Sequence, residues 1–469
     1  MPSDDSRPTK RRDFLKLAGA SAVVTTGIAG CVGTENGGTE TPEPTEAGGG
    51  GGGGGGATET MGGGETTETA MSTSTPSGPD TITIGQPGAL TGQWDFLQPA
   101  VSLASDVAVQ EINEAGGPLG AEFTVSRRDT AVNPQQARTV VRQLINNDNV
   151  PVINGLFSSE IVPMWDFLQE QQVPVVTPWP GARFLDTRGG DNNTPEDTSD
   201  DGWVWRTVIG DTVHTAGAAK AMIDAGYETM GMMNGTTTGE RGWTDAFEQA
   251  YQNLGGTIAK RVEVSPGQSS YQSSLNVLFQ ADFDAWGLAF ALEDATTVIR
   301  DWANAGYGKQ LLLEDGLLSP DLPEAVGSQA EGALIAAGST QGPNYGAFET
   351  KFNNAGDADI HTWGVASYDA VNVIALAIHR AGEATPEAIQ QNLGAISREG
   401  GTTVSTFGEG KEALDNGEEI NYEGAVTQVD FTKFGNVWGD VGVQQVTPDG
   451  FEQVNTVSAD TLKETIENY

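Results

Sequence analysis

The segment Asn154-Gly155-Leu156-Phe157-Ser158-Ser159 ends in two serines just ahead of a helix-like run. A helix start offers free backbone N–H groups and the positive end of its dipole, so this loop could hold an anion. The same serines could equally do no more than cap the helix. Thr177-Pro178-Trp179-Pro180-Gly181 sets an indole in a stiff loop, where it could stack on a ligand or pack between loops. The stretch from 189 to 202 carries Asp191, Asp197, Asp200 and Asp201, but a calcium loop starting at Asp197 would need a glutamate where Val208 stands. A solvated acidic loop is expected there, and no metal. His214, His361 and His379 lie on separate segments with no acid or cysteine pattern beside them, and are expected as core or surface histidines. Gly235-Thr236-Thr237-Thr238-Gly239 lacks the Lys-Ser/Thr of a phosphate cradle, and no Gly-x-Ser-x-Gly elbow occurs. With no nucleophile and base set to converge, these residues point to binding rather than catalysis, with no catalytic residue and no cofactor.

The elements that would carry these loops alternate. Thr81 to Gly85 reads as a strand, followed by a helix with Ala104, Val107, Ala108 and Ile112 on one face, ended by Gly116-Gly117-Pro118. Phe123 to Ser126 is a second strand, and Pro134 opens a helix with Ala137, Val140, Val141, Leu144 and Ile145 at helical spacing. Buried strands follow at 150–154 and 173–177. The cycle restarts near 208, with strands at 229–233, 259–264, 285–290 and 310–313, and helices around 215–225, 242–254, 271–279 and 294–305. Such alternation predicts two parallel-sheet α/β units, in which ligands sit at the carboxyl ends of the strands. Two such lobes facing each other would enclose a cleft.

The ends and the charge add an address. Lys10-Arg11-Arg12-Asp13-Phe14-Leu15-Lys16 precedes a weakly apolar stretch from Leu17 to Ile28, too short to span a bilayer, and the cluster resembles a twin-arginine export signal. Ile28-Ala29-Gly30-Cys31 is similar to a lipobox, so residues 1–30 are expected to be a signal and Cys31, the sole cysteine, to carry lipid. Residues 31–80, with the glycine run from Gly48 to Gly56, read as a flexible tether spanning roughly 35–40 Å. The 469-residue chain holds 64 Asp and Glu against 24 Lys and Arg, for a net charge of -40. That field repels polyanions, so no nucleic-acid partner is expected. A carboxylate-covered surface suits concentrated salt, where repulsion is screened to within about 3 Å at 1 M. A high-salt habitat is the expectation, against a merely acidic surface as the alternative.

The body then shows a resemblance. Thr81-Ile82-Thr83-Ile84-Gly85 with Leu90-Thr91-Gly92, Glu111-Ile112-Asn113 through Gly116-Gly117, Asn133-Pro134 to Ala137, and Val173-Pro174 to Thr177-Pro178 occur in order. Ala330-Glu331-Gly332, Ser367-Tyr368-Asp369-Ala370, Ala381-Gly382, Ile420-Asn421-Tyr422-Glu423-Gly424 and Gly439-Asp440 continue the series. From residue 81 to about 455 the chain resembles the leucine/isoleucine/valine-binding family of ABC-transporter receptors. The resemblance implies an α/β type I periplasmic-binding-protein fold, two Rossmann-like parallel-sheet lobes joined by a three-strand hinge. Crossings are expected near 206–210, 332–336 and 424–429, giving lobe one as 81–207 plus 336–425 and lobe two as 208–335 plus 426–469.

The same resemblance implies the ligand contacts. Ser158 and Ser159 would hold an amino-acid carboxylate. Trp179 and Gly181 stand at contact positions where the family has small residues and a Thr or Ser, a departure that puts a branched-chain ligand in doubt. Gln93 and Trp94 match the segment lying across the cleft. Thr238 and Leu292 fall where relatives place ligand-facing aromatics. Asp315 falls where an acid pairs with the ligand ammonium, although Asp315-Gly316 could be only a turn. Glu293 and Asp294 are read as helix caps. The implied role is a monomeric receptor, held to the outer face of the membrane through Cys31, that delivers a small amino acid or related amine to a permease pair and its ATPases. A lipoprotein of the same fold that hands its ligand to a membrane sensor is the alternative; a signalling domain of its own would have to follow Tyr469, where the chain ends.

Overall fold

The computed structural model describes residues 79–92, 94–188, 202–339, 341–397 and 400–466. The export stretch, Cys31, the tether, Gln93 and the acidic insertion from 189 to 201 lie outside the described residues.

The first half builds β1 (Thr81–Gly88), α1 (Gln98–Glu114), β2 (Glu122–Asp129), α2 (Pro134–Asn146), β3 (Ile153–Asn154), α3 (Ser158–Gln171), β4 (Val175–Thr177) and β5 (Val204–Arg206). The five strands form a parallel sheet in the order β2-β1-β3-β4-β5. Local chemistry explains the boundaries. Asn133 accepts from the N–H groups of Gln135 and Gln136, and Pro134 sits at the first position of α2, where its missing N–H is no loss. The stripe Ala137, Val140, Val141 and Leu144 then packs with Val150, Ile153 and Leu156 under the sheet.

The chain continues through α4 (Asp211–Asp224), β6 (Thr229–Asn234), α5 (Thr238–Asn253), β7 (Thr257–Glu263), α6 (Gln272–Leu278), β8 (Ala285–Ala289), α7 (Leu292–Ala305), β9 (Gln310–Leu313), α8 (Asp321–Val326) and β10 (Leu334–Gly338). Next come α9 (Tyr345–Ala355), α10 (Thr362–Ala381), α11 (Pro386–Leu393), β11 (Thr402–Val404), α12 (Phe407–Asp415) and β12 (Ile420–Tyr422). β13 (Val441–Thr447), β14 (Gly450–Val457) and α13 (Ala459–Thr465) follow. A seven-stranded sheet runs β14-β13-β10-β9-β8-β6-β7, parallel except where β13 pairs antiparallel with β10 and β14. β11 and β12 form a separate parallel pair.

Helix α10 returns to the first sheet. Its small residues let it lie close against α1, with the Ser105 and Ser367 hydroxyls 2.8 Å apart and the Tyr368 hydroxyl donating to Glu111 at 2.7 Å. The connections between sheets run side by side. Arg206 N–H donates to Gly435 O at 2.9 Å, Gly342 N–H to Ala425 O at 2.8 Å, and Ser339 N–H to Asp440 O at 2.8 Å. β10 stays paired with β13 through Gly338, so the expected resumption of lobe one at 336 falls inside a strand of the second sheet. Ala336, Ala337 and Gly338 carry little side-chain signal of strand, so local patterning offers only a crossing here.

One buried carboxylate ties this region together. Asp369, fully buried in α10, accepts from the Tyr422 hydroxyl at 2.9 Å and from Ala425 and Val426 N–H at 2.8 Å each. Burial pushes its pKa up to about 7, while the three donors pull the other way. Replacing it strands the donors in a dry interior, where each unsatisfied group costs about 1–3 kcal/mol. Asp369→Ala is expected to destabilise the protein by about 3–5 kcal/mol and Tyr422→Phe by about 1 kcal/mol, read from denaturant unfolding in molar salt. A loss below about 1 kcal/mol for Asp369→Ala would remove the clamp from the account.

Candidate ligand-binding site

Two loops meet at the carboxyl end of the first sheet. After β3 the chain turns through Gly155 and Leu156 into Phe157, and α3 begins at Ser158. The Glu160 side chain reaches back to accept from Phe157 N–H at 2.8 Å, closing the helix start; its burial raises its pKa above the usual carboxylate range. Ser158 is half-buried, and its hydroxyl accepts from Ala182 N–H at 3.2 Å. Ser159 is exposed. The hydroxyl of Ser158 therefore fastens the second loop, and the first-turn N–H groups of α3 remain the stronger attraction for an anion.

The second loop follows β4. Trp179, 5% exposed, stacks on Phe157 with ring centroids 4.2 Å apart and lies 6.2 Å from Trp363 of α10. Leu97 and Val101 complete this apolar cluster. Trp94 is 40% exposed beside Phe96, at 6.1 Å. His361 caps α10 by accepting from Gly364 N–H at 3.2 Å, and burial lowers its pKa.

Acids line the facing side. Asp211 opens α4, and its N–H donates to Gly181 O at 2.7 Å, joining the Trp179 loop to the second half of the molecule. A Cβ at Gly181 would overlap the Asp211 carboxylate oxygen Oδ1. Asp315, in the turn after β9, places Oδ2 3.8 Å from His214 Nδ1. That nitrogen already accepts from Gly338 N–H at 3.1 Å, so it carries no proton, and burial lowers the pKa of the ring. The histidine is neutral and does not balance the acid. Among the described residues no donor stands within hydrogen-bonding distance of the Asp211 or Asp315 carboxylate.

The electrostatic result is uneven. Asp211 is pushed up to about 7, chiefly by burial and then by Asp315; Arg206 pulls it down, but that guanidinium is paired with Asp186. Glu314 is raised well above the usual range by burial, then by Asp315, Glu240 and Asp211. Glu240 is held by Thr237 at the start of α5. A cluster of several carboxyl groups beside a neutral imidazole favours an incoming cation.

The structure thus joins Ser158, Trp179 and Gly181 in one network, with Asp211 attached to it and Asp315 beside Asp211. Thr238 is exposed in the first turn of α5, and Leu292, half-buried at the start of α7, packs on the core of the second half; neither takes part in that network. Asp294 accepts from Gly267 N–H at 2.8 Å and from the Tyr271 hydroxyl, fixing a loop. Asp211, Phe157 and Trp363 were not foreseen; Gly210-Asp211 reads locally as an ordinary acidic helix start. A separate groove of about 800 Å³, lined by Arg183, Asp186, Thr212, Gln249 and Glu464 among others, contains none of the expected ligand residues.

A carboxyl group whose pKa is raised by folding loses stability as pH climbs from its unfolded value near 4 toward its folded value near 7. Asp211→Asn should therefore raise the stability of the ligand-free protein at pH 8 by about 1–3 kcal/mol and leave it unchanged near pH 4. Thermal unfolding at the two pH values checks this; equal effects at both would mean that Asp211 is not strained.

Comparison with known proteins agrees with this architecture. The profile of the family described as Periplasmic binding protein matches residues 81–446. The Leu/Ile/Val/Thr/Ala-binding protein of Pseudomonas aeruginosa is 24% identical, over 73% of this chain and 90% of its own. The chemotactic signal transduction system substrate-binding protein BasB of Halobacterium salinarum is 24% identical, over 79% of this chain and 88% of its own. Among solved structures, the branched-chain amino acid transporter substrate-binding protein LivJ of Streptococcus pneumoniae in complex with isoleucine superposes with a TM-score of 0.63, at 16% identity over 81% of this chain and 99% of that one. A solute-binding protein of R. palustris in complex with 4-hydroxybenzoate gives a TM-score of 0.61, at 18% identity over 81% and 97%. With two mainly parallel sheets, paired crossings between them and loops meeting at the strand ends, the chain belongs to the periplasmic binding protein family, with the type I fold of the Leu/Ile/Val-binding proteins, a family of solute receptors and not of enzymes.

Proposed function

We propose that this protein is the extracytoplasmic receptor of an ABC importer of the branched-chain amino-acid type, capturing a small amino acid or related amine in the cleft between its lobes. The observation that carries this is Asp315, a carboxylate at the end of a central strand with no hydrogen-bond donor among the described residues and only a neutral histidine beside it. An ammonium group is the partner such a carboxylate lacks. Across the cleft, Ser158 and the start of α3 suit the ligand's carboxylate. Lobe one comprises 81–207 plus the chain after Gly338 to 425, and lobe two the remainder of the body. The ligand bridges the lobes and shifts the population toward a closed form that a permease recognises. Cys31 holds the receptor to the outer membrane face through lipid, after export by the twin-arginine route, and the acidic surface keeps it soluble in concentrated salt.

A second reading, delivery of the ligand to a membrane sensor, draws support from the likeness to BasB, which serves a chemotactic signalling system. Both readings require the same binding event and differ in the membrane partner. Co-purification from detergent extracts separates them: a permease favours uptake, a transducer favours sensing.

Thermal unfolding in molar salt against amino acids, short amides, amines and aromatic acids tests the ligand class. A compound present at 100 times its Kd adds about 2.7 kcal/mol and visibly raises Tm. An amino acid or other amine is expected to do so, and Asp315→Ala to weaken it by about 2–5 kcal/mol. Unchanged affinity in that variant, or stabilisation by aromatic acids alone, would remove the amine from the proposal.

A further inference from the structure

We propose that the pair Gly181 and Asp211 sets ligand charge, so that the receptor prefers a solute with two cationic nitrogens, one facing Asp315 and one facing Asp211. The inference rests on the reading of the cleft as the ligand site and goes beyond it by assigning a specificity residue. Its basis is steric as well as electrostatic. The loop after β4 reaches α4 through the bond from Asp211 N–H to Gly181 O, and the volume a side chain at 181 would need is filled by the Asp211 carboxylate. Where a hydroxyl-bearing residue at 181 would present a donor to the cleft, this chain presents an acceptor. That acceptor finds no donor of its own among the described residues, although its own N–H is engaged. A position built for an acid, and cleared by a glycine on the opposite loop, reads a donor or a cation.

The groups around Asp211 decide its protonation. Asp315 and Asp186 oppose its ionisation, Arg206 and Arg183 favour it, and His214 on the same helix is neutral. In the free receptor its carboxyl titrates near 7, so a dication must displace a proton below that pH. Affinity for a dication should therefore rise with pH between 6 and 8.

Calorimetric titration of the purified protein in molar salt, with lysine, putrescine, leucine and butylamine as probes, tests this. Lysine or putrescine should bind at least tenfold tighter than its single-amine counterpart. Asp211→Asn should abolish that preference and the rise with pH, which calorimetry reads as equal affinity for each diamine and its single-amine counterpart. Gly181→Ser alone should impair every ligand through the clash; combined with Asp211→Ala it should restore binding and favour leucine over lysine. Recovery in the double variant guards against the single variant's merely failing to fold. If leucine binds through Asp315 and Asp211→Asn changes no ratio, the inference falls and the receptor reading stands. If no amine binds while an aromatic acid does, both fall together.

Discussion

Like charges gathered in a partly desolvated cleft are the constraint on which this receptor's behaviour turns. Burial and the nearby Asp315 carboxylate raise the cost of ionising Asp211 and Glu314, and the nearest imidazole, His214, is kept neutral by the Gly338 N–H that occupies its Nδ1. An interior that wanted only stability would place a cation or an apolar residue there. Retaining unpartnered carboxylates makes sense when the missing charge arrives from solution, and when its arrival is what distinguishes the occupied state from the empty one. Because Asp211 is bonded through its backbone to the loop carrying Trp179, a cation at this point acts on groups from both sheets.

The remainder of the structure keeps those groups in place. Asp369 gathers the third crossing by three hydrogen bonds, and Gly342 packs its backbone against the same crossing. Arg206, nearly inaccessible, pairs with Asp186 and lies under the carbonyls of Pro180 and Ala182 at 3.4 Å each. Thr212 also donates to Asp186, and Asn436 Nδ2 donates to its backbone oxygen at 2.8 Å. The loop that offers Trp179 and Gly181 is thus held from behind by a buried ion pair with further hydrogen bonds on both partners, which offset part of the cost of burying it. A firm frame with small, hydrogen-bonded crossings suits motion of whole lobes rather than of single loops.

How much of this was legible depends on the range of the interactions. β1, α1, α2 and the strands at 229, 285 and 310 follow from periodicity, because each apolar stripe is written within one element. β3 ends at Asn154 as expected but starts only at Ile153, since Pro151 has no N–H to give to a ladder. β10 has no counterpart among the expected strands, because pairing with β13, more than a hundred residues later, holds it. Asp315 could be placed only through the family resemblance, since Asp-Gly alone reads as a turn. Asp211 was invisible for a deeper reason: its significance lies in what stands opposite, at Gly181 and Asp315, and local sequence describes it as a routine first-turn acid. Trp179 stood between stacking and packing, and its contacts with Phe157 and Trp363 place it within an apolar cluster of the first lobe.

The central claim is that an amine-bearing solute closes the two lobes by supplying the cation the cleft lacks. Small-angle X-ray scattering of the purified protein in molar salt measures this directly, as the radius of gyration with and without a saturating amine ligand identified by calorimetry. The account predicts a smaller radius on binding in the native protein and no change when Asp315 is replaced by alanine. Tight binding with an unchanged radius would contradict it, because the ligand would then be held without bridging the lobes.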